Sequence, residues 1–287
     1  MLSTLRVNRT CQRHIVCGVG VTALRRYPPR RVVILHAASG ASGGTQVIIL
    51  GLDTAGRSGS VALVDETQVL AFFYLRQAPT FSSHLLRTVD VVCCQVGCRV
   101  DDLGGLAVNL GPGGFTSLRV GLATAQGLAM ATGKPLVGCS AFEALVASAE
   151  GWHGAVCAVL EARRGEVYAA LYHRQNTTMH VTTPGMVTTP EALCTLVTER
   201  TLFVGSGVRT YGALFAATLG AQVVCLESAL EGGLAASVAR LGSERLRAPA
   251  AGAAAPGAWS ALKPLYIRDA DARLPRHAMA AAGDSNV

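Results

Sequence analysis

The sequence predicts an α/β protein of two tandem lobes, each with the element order βββαβαβα. Three observations carry that prediction. Half of the 287 residues are apolar, ample for a core in one large domain or two ordinary ones. Short β-branched runs alternate with stretches of helical period, the pattern of mixed α/β folds. The same order of elements is met twice, over 47–150 and over 151–247, which implies two similar lobes with a cleft between them.

In the first lobe, 47–53 (VIILGLD) is a β-branched run ending at an acid, and 54–59 supply turn residues before a second strand at 60–64. A third strand spans 69–75, and Pro79 breaks the run. Ser82 or Ser83 caps a helix to about Val96; a strand at 106–108, a glycine loop and a helix over 115–132 follow. A short strand at 135–137 leads to a helix capped by Ser140 and running to about Ala149. The second lobe repeats the order: strands at 155–160 and 167–172 joined by the turn EARRG, then an extended segment ending near Val187. Pro190 opens a helix to about Glu199, proline being tolerated in a first helical turn. A strand at 202–204, a helix at 208–219, a strand at 222–226 and a helix at 230–246 complete it. Residues 248–287 read as an alanine-rich linker, a PLYIR segment and a disordered tail.

The loop Gly111-Pro112-Gly113-Gly114 cannot continue the strand before it, because glycine and proline are breakers. Between a strand and a helix N-terminus it reads either as a cradle of free N–H groups for an anion or as a tight strand-to-helix turn. On the helix that follows, Leu118, Leu122, Ala125 and Ala129 share one stripe, and Gly121/Ala125/Ala129 and Ala123/Gly127/Ala131 form two small-residue rows that let another backbone approach.

The net charge of +7 is not spread along the chain. Residues 1–46 hold seven arginines (Arg6, Arg9, Arg13, Arg25, Arg26, Arg30 and Arg31), with no lysine and no acid; the other 18 basic residues are matched by 18 acidic ones. The body therefore has no electrostatic footprint for unaided nucleic-acid binding. The apolar run 15–24 behind three arginines is signal-like, yet Arg25, Arg26, Pro28 and Pro29 stand where a small-residue cleavage site belongs. An Arg-rich leader also suits an organellar transit peptide, and the plainest reading of 1–46 is a dispensable, disordered extension or a start codon placed too far upstream, with no strand before residue 47. No unbroken apolar run approaches the ~20 residues of a membrane span. Nine scattered cysteines with no CxxC pair suggest neither zinc nor a disulfide framework; Cys94 and Cys98, four apart, are expected to serve packing.

Together, ILGLDTA at 49–55, SSHLL at 82–86, GPGGFTSLRVGLATAQGLA at 111–129, EARRGEVY at 161–168 and PLYIR at 264–268 resemble the bacterial TsaB (YeaZ) family. The resemblance implies two tandem ribonuclease-H-like lobes of the actin, sugar-kinase and Hsp70 type. It further implies a part in forming threonylcarbamoyladenosine in tRNAs that read codons beginning with A. In that role the chain is a non-catalytic partner of a TsaD-like paralogue, joined by a TsaE-like ATPase, and either a homodimer or a monomer when alone. It reaches tRNA only through the complex, in the cytoplasm, with ATP and metal on the partners and no cofactor held tightly by this chain. The alternative is an active ATP-dependent enzyme of the same fold, a small-molecule kinase or a threonylcarbamoyl transferase.

The expected site residues divide into two sets. The helix over 82–96 is apolar beyond one stripe. Leu85, Leu86, Val89, Val92 and Val96, with Leu118, Gly121, Leu122 and Ala125 of the later helix, are expected at a partner interface, because members of the resembled family pair through these two helices. Asp53, Thr54, Gly111, Gly113, Glu161, Gly205 and Gly207 mark the places where kinases of this architecture touch nucleotide, here expected to be vestigial; Glu161 stands where the family usually has Asp. No catalytic residue and no metal site is expected. The paralogue's HxxxH becomes His84 followed by Thr88, and one imidazole is too few for a catalytic metal.

Overall fold

A computed structural model describes residues 32–36 and 47–267, apart from 57, 66–67, 76–80, 150, 177, 227–232 and 248–257. The expectations for a targeting signal before residue 32, for the linker over 248–257 and for the tail from 268 lie outside the described residues.

The first sheet has six strands: β1 (Val32–His36), β2 (Ile48–Asp53), β3 (Gly59–Asp65), β4 (Gln68–Leu75), β5 (Gly105–Asn109) and β6 (Leu136–Cys139), in the order β1-β4-β3-β2-β5-β6. β2, β3 and β4 form an antiparallel meander, with Asp53 opposite Ser60, while β5 and β6 run parallel to β2. The second sheet comprises β7 (Gly154–Glu161), β8 (Val167–Gln175), β9 (Thr178–Thr188), β10 (Thr201–Val204) and β11 (Val223–Leu226), in the order β11-β10-β7-β8-β9. It repeats the first, a meander from β7 to β9 with β10 parallel to β7 and β11 parallel to β10. The repeat read from the sequence is thus a repeat of topology, and the fold is that of two tandem ribonuclease-H-like lobes.

One strand was not expected. Val32–His36 (VVILH) lies antiparallel along β4, from Val32 opposite Leu75 to His36 opposite Ala71, so the stretch before residue 47 does contribute to the sheet. Its run of Val, Val, Ile and Leu is a strand signal in its own right, masked by the arginines around it.

Six α-helices are described: α1 (Phe81–Val96), α2 (Phe115–Thr132), α3 (Ala141–Ala147), α4 (Pro190–Cys194), α5 (Ser206–Leu219) and α6 (Ala235–Arg247). α4 stops five residues short of the expected end: Thr195 takes the C-cap and turns its hydroxyl to the Ala192 carbonyl (2.8 Å). None of the described helices is long and apolar enough to cross a membrane.

α1 and α2 cover one face of the first sheet, burying Leu85, Val89, Val92, Leu122, Ala125 and Ala129 against Leu50, Leu52, Leu63 and Leu106. α4 and α5 cover the distal face of the second. The two remaining helices lie between the sheets, in a core that joins Ile49, Ala107 and Val137 of the first sheet to Val156, Ala158 and Val204 of the second. α6, read as the last helix of the second lobe, packs on β2, β3 and β5 of the first, and α3 packs on β7 and β8 of the second. The boundary near residue 150 therefore divides the chain by order and not by packing. α6 lies so close to the sheet that a Cβ on Gly51 would stand 2.1 Å from the Ala235 carbonyl oxygen, which only glycine permits. Ser140 caps α3 in a reciprocal box with Glu143, and Arg245 of α6 donates to that Glu143 carboxylate and to the Gly138 carbonyl, tying the two exchanged helices together.

Candidate functional site

The carboxylate of Asp53 ends β2 and is only 5% exposed. Its Oδ1 accepts the Ala55 N–H (3.1 Å) and the Asn109 side-chain amide (2.9 Å), and its Oδ2 accepts the Leu234 N–H (3.1 Å). Beside it the Ser60 hydroxyl accepts the Ala235 N–H (3.1 Å). Leu234 and Ala235 open α6, so the positive end of that helix is set on the buried acid, where an anion is favoured. Burial raises the Asp53 pKa from its ordinary 3.8, opposed by the bonds from Ala55, Leu234, Asn109 and Ser60. Both carboxylate oxygens are thus bonded within the chain, one of them to the start of α6.

The glycine loop is closed in the same way. Asn109 Oδ1 accepts the Gly111 N–H (2.9 Å), the Ala55 carbonyl accepts the Gly114 N–H (2.8 Å), and the Gly111 carbonyl accepts the Ala141 N–H (2.7 Å). A Cβ on Gly113 would lie 2.2 Å from the Ala55 oxygen, and the hydroxyl of Thr54 donates to the Ser117 carbonyl (2.8 Å) while pressing against Gly121. Gly113 thus admits the Ala55 turn and Gly121 the Thr54 side chain, whereas a Cβ on Gly111 would meet the Leu118 side chain and the Leu265 carbonyl, and one on Gly114 the Ser117 hydroxyl. In the second lobe the pattern recurs. A Cβ on Gly205, at φ +129°, would fall 2.0 Å from the Val159 oxygen, and Gly207 abuts the Val159 side chain. Glu161 is exposed, and its N–H donates to the Ser206 hydroxyl (3.0 Å). Each set of expected residues is thus brought together within its lobe. Sequence reading missed Asn109, Ser60 and the start of α6; the position of Asn109 at the end of an apolar strand, two residues before the first loop glycine, was the available signal.

On α1, Thr88 is buried and its hydroxyl donates to the His84 carbonyl (3.0 Å), so the position four after His84 serves the helix backbone. No group of three metal-ligating side chains occurs among the described residues.

The expected interface is corrected in detail. Leu85, Val89 and Val92 of α1 and Leu118, Gly121, Leu122 and Ala125 of α2 are buried in the chain's own core, and Val96 is partly so. Their spacing is the stripe that packs a helix on its sheet. Of the residues expected there, Leu86 faces outward, 56% exposed. The outer surface of the adjacent pair is completed by Cys94 on α1 and by Ala123, Gly127, Met130 and Ala131 on α2, with Met130 67% exposed. Of the two small-residue rows, the one holding Gly121 is turned in and the one holding Gly127 out. Beside it, a cavity of about 360 Å³ is lined by Arg119, Leu122, Ala123, Gln126, Lys263, Pro264 and Tyr266. There the Gln126 amide donates to the Trp259 carbonyl (2.7 Å) and Arg119 Nε donates to the Tyr266 hydroxyl (2.9 Å), strapping the C-terminal segment to α2.

These features define a two-lobed α/β protein of ribonuclease-H-like fold in which the buried acid at the end of β2 and the glycine loop are bonded within the chain. The comparisons with known proteins narrow the class. A family model described as TsaD, tRNA N6-adenosine threonylcarbamoyltransferase, matches residues 76–275. The chain is 38% identical over 128 residues to the tRNA threonylcarbamoyladenosine biosynthesis protein TsaB of Escherichia coli, covering 44% of this chain and 55% of that one. It is 30% identical over 128 residues to the Bacillus subtilis protein of the same name, covering 45% and 56%. The chain thus spans about half the length of the curated relatives it matches. A Pseudomonas aeruginosa protein with similarity to peptidase YeaZ superposes with a TM-score of 0.63 at 24% identity, over 77% of this chain and 100% of that one, which shows the fold. The chain belongs to this TsaD family, and within it is similar to proteins named TsaB.

Proposed function

We propose that this chain is a non-catalytic partner subunit of a TsaD-like threonylcarbamoyl transferase, required for threonylcarbamoyladenosine formation in tRNAs that read codons beginning with A. The observation that carries the non-catalytic reading is Asp53: the acid best placed for phosphate or metal is enclosed, with both oxygens bonded inside the chain. ATP and metal then belong to the partners, the paralogue and a TsaE-like ATPase, and tRNA is met only through the assembly, in the cytoplasm. Pairing uses the outer face of α1 and α2, where Leu86 and Met130 are exposed beside Ala123 and Gly127. Small residues there admit close helix approach, and two large apolar side chains supply anchors. The free chain uses the same face to form a homodimer.

The test is size-exclusion co-elution of Leu86→Asp and Met130→Asp with the TsaD-like paralogue. A carboxylate buried unpaired in the contact is expected to weaken pairing by about 100-fold or more while leaving the fold intact. Co-elution of both folded variants at wild-type affinity would place the interface elsewhere.

A further inference from the structure

The C-terminus of α1 closes in an unusual chemical setting. Gly97, at φ +76°, ends the helix; its N–H donates to the Cys94 carbonyl (3.2 Å), and the Cys98 N–H donates to the Cys93 carbonyl (3.1 Å). This double closure is a Schellman motif, in which the residue just beyond the left-handed glycine lies against the side chain five positions earlier. Here both residues are cysteines, so the turn sets their side chains against each other. Cys93 is 3% exposed and belongs to the core beneath α1, while Cys98 packs on that core and is partly exposed. The residue set beside Cys98 is thus Cys93 and not Cys94, whose four-residue spacing from Cys98 stands out in the sequence; Cys94 follows Cys93 on the helix, about 100° around the axis, and is exposed.

We propose that Cys93 and Cys98 form a redox-closing dithiol, a modification site at which a small disulfide of the glutathione type oxidises the pair to an intramolecular disulfide. Cysteines that point apart cannot be bridged without backbone movement. These two are placed side by side by a hydrogen-bonded turn and belong to one core cluster. Their roles differ. The hydrogen bond from Cys93 lowers the Cys98 thiol pKa, against burial and the Asp102 carboxylate. The Cys93 thiol is raised, first by that bond, then by burial and by Cys98, Asp90 and Asp102. By contrast Cys139 and Cys157 are buried thiols pushed up by desolvation, Cys139 to about 12.

In the first step Cys98 Sγ, as thiolate, attacks one sulfur of the small disulfide; the sulfur–sulfur bond breaks and one thiolate leaves to take up a proton. In the second, Cys93 gives up its proton and its Sγ attacks Cys98 Sγ, expelling the second small thiol. The protein dithiol is oxidised by two electrons and the small disulfide is reduced to two thiols.

The experiment treats reduced full-length protein with glutathione disulfide, counts free thiols after denaturation and maps the unreduced peptides. It includes the Cys94→Ser variant, in which only one pairing is open within this segment. We expect Cys94→Ser to lose two thiols and yield a Cys93–Cys98 linkage, as the unaltered chain does. Cys93→Ser is expected to stop at a glutathione adduct on Cys98, and Cys98→Ser to leave Cys93 unmodified. Phenylarsine oxide, which bridges neighbouring thiols, is expected to bind the reduced Cys94→Ser protein and to block the oxidation. Should Cys93→Ser fail to fold, the map of the Cys94→Ser protein decides alone. Free Cys93 and Cys98 thiols in that protein after treatment, or a Cys94–Cys98 linkage in the unaltered chain, would overturn the proposal.

Discussion

Asp53 carries three internal hydrogen bonds, and a fourth group, Ser60, lies beside it. Because burial sets its folded pKa above the ordinary 3.8, the folded chain binds this proton more readily than the unfolded chain. The stability it contributes is fully present below the unfolded value and is lost as pH rises through the folded one. Asp53→Asn removes that titration while the other carboxylates stay. The melting temperature of the unaltered chain, less that of Asp53→Asn, should therefore grow as pH is lowered from neutral toward about 4. A difference that shrinks on acidification would mean that the hydrogen bonds outweigh burial. Asp53 itself was legible in the sequence as an acid at a strand end. Its role was not, because the groups that enclose it, Leu234 and Ala235, lie 181 and 175 residues away from their partners and nothing local announces them.

At the scale of elements, α1 and α2 were legible in position and misread in orientation. Leu85, Val89 and Val92 are spaced as a single stripe, and a stripe states that one side is buried without saying against what. The sheet decides it: the stripe packs on β3 and β4, and the surplus apolar residue Leu86 is left outside. The distinction is measurable in the isolated chain. Val89→Asp should bury an unpaired charge in the core and lower the melting temperature by on the order of 10 °C or prevent folding. Leu86→Asp should move it by no more than about 2 °C. Equal effects from the two would contradict the assignment of inner and outer faces. α3 and α6 show the converse limit. Each was expected from its pattern, and α3's capping box could be read from Ser140 and Glu143. That the two helices exchange sheets follows from long-range packing, for which Gly51 and Gly242 were the faint local sign.

For the whole molecule, the doubled element order was enough to give the two-lobed fold, since matching runs of strands and helices leave few ways to form matching sheets. The leader shows where composition misleads. Its seven arginines all precede Val32, so removing 1–31 takes away the charge and keeps β1, whereas removing 1–46 takes both. The shorter deletion is expected to remove any salt-sensitive tRNA retention that the full-length chain shows outside the assembly, the remaining charges being balanced, and to change the melting temperature by no more than about 2 °C. The longer one uncovers the outer edge of β4 and should cost a few degrees and promote aggregation, because an unpaired edge recruits other chains. Identical melts and solubility for the two truncations would contradict the six-stranded sheet. The central claim, that this chain acts as a partner subunit with a closed nucleotide corner, is tested most directly by titrating it into a fixed amount of TsaD-like paralogue with the ATPase, ATP, threonylcarbamoyl donor and tRNA. The initial rate of threonylcarbamoyladenosine formation should rise from near zero, saturate when chain and paralogue are equimolar, and vanish when the paralogue is omitted. Product formed without the paralogue, or a rate that keeps rising in proportion to this chain beyond equivalence, would show that the chain itself performs the chemistry.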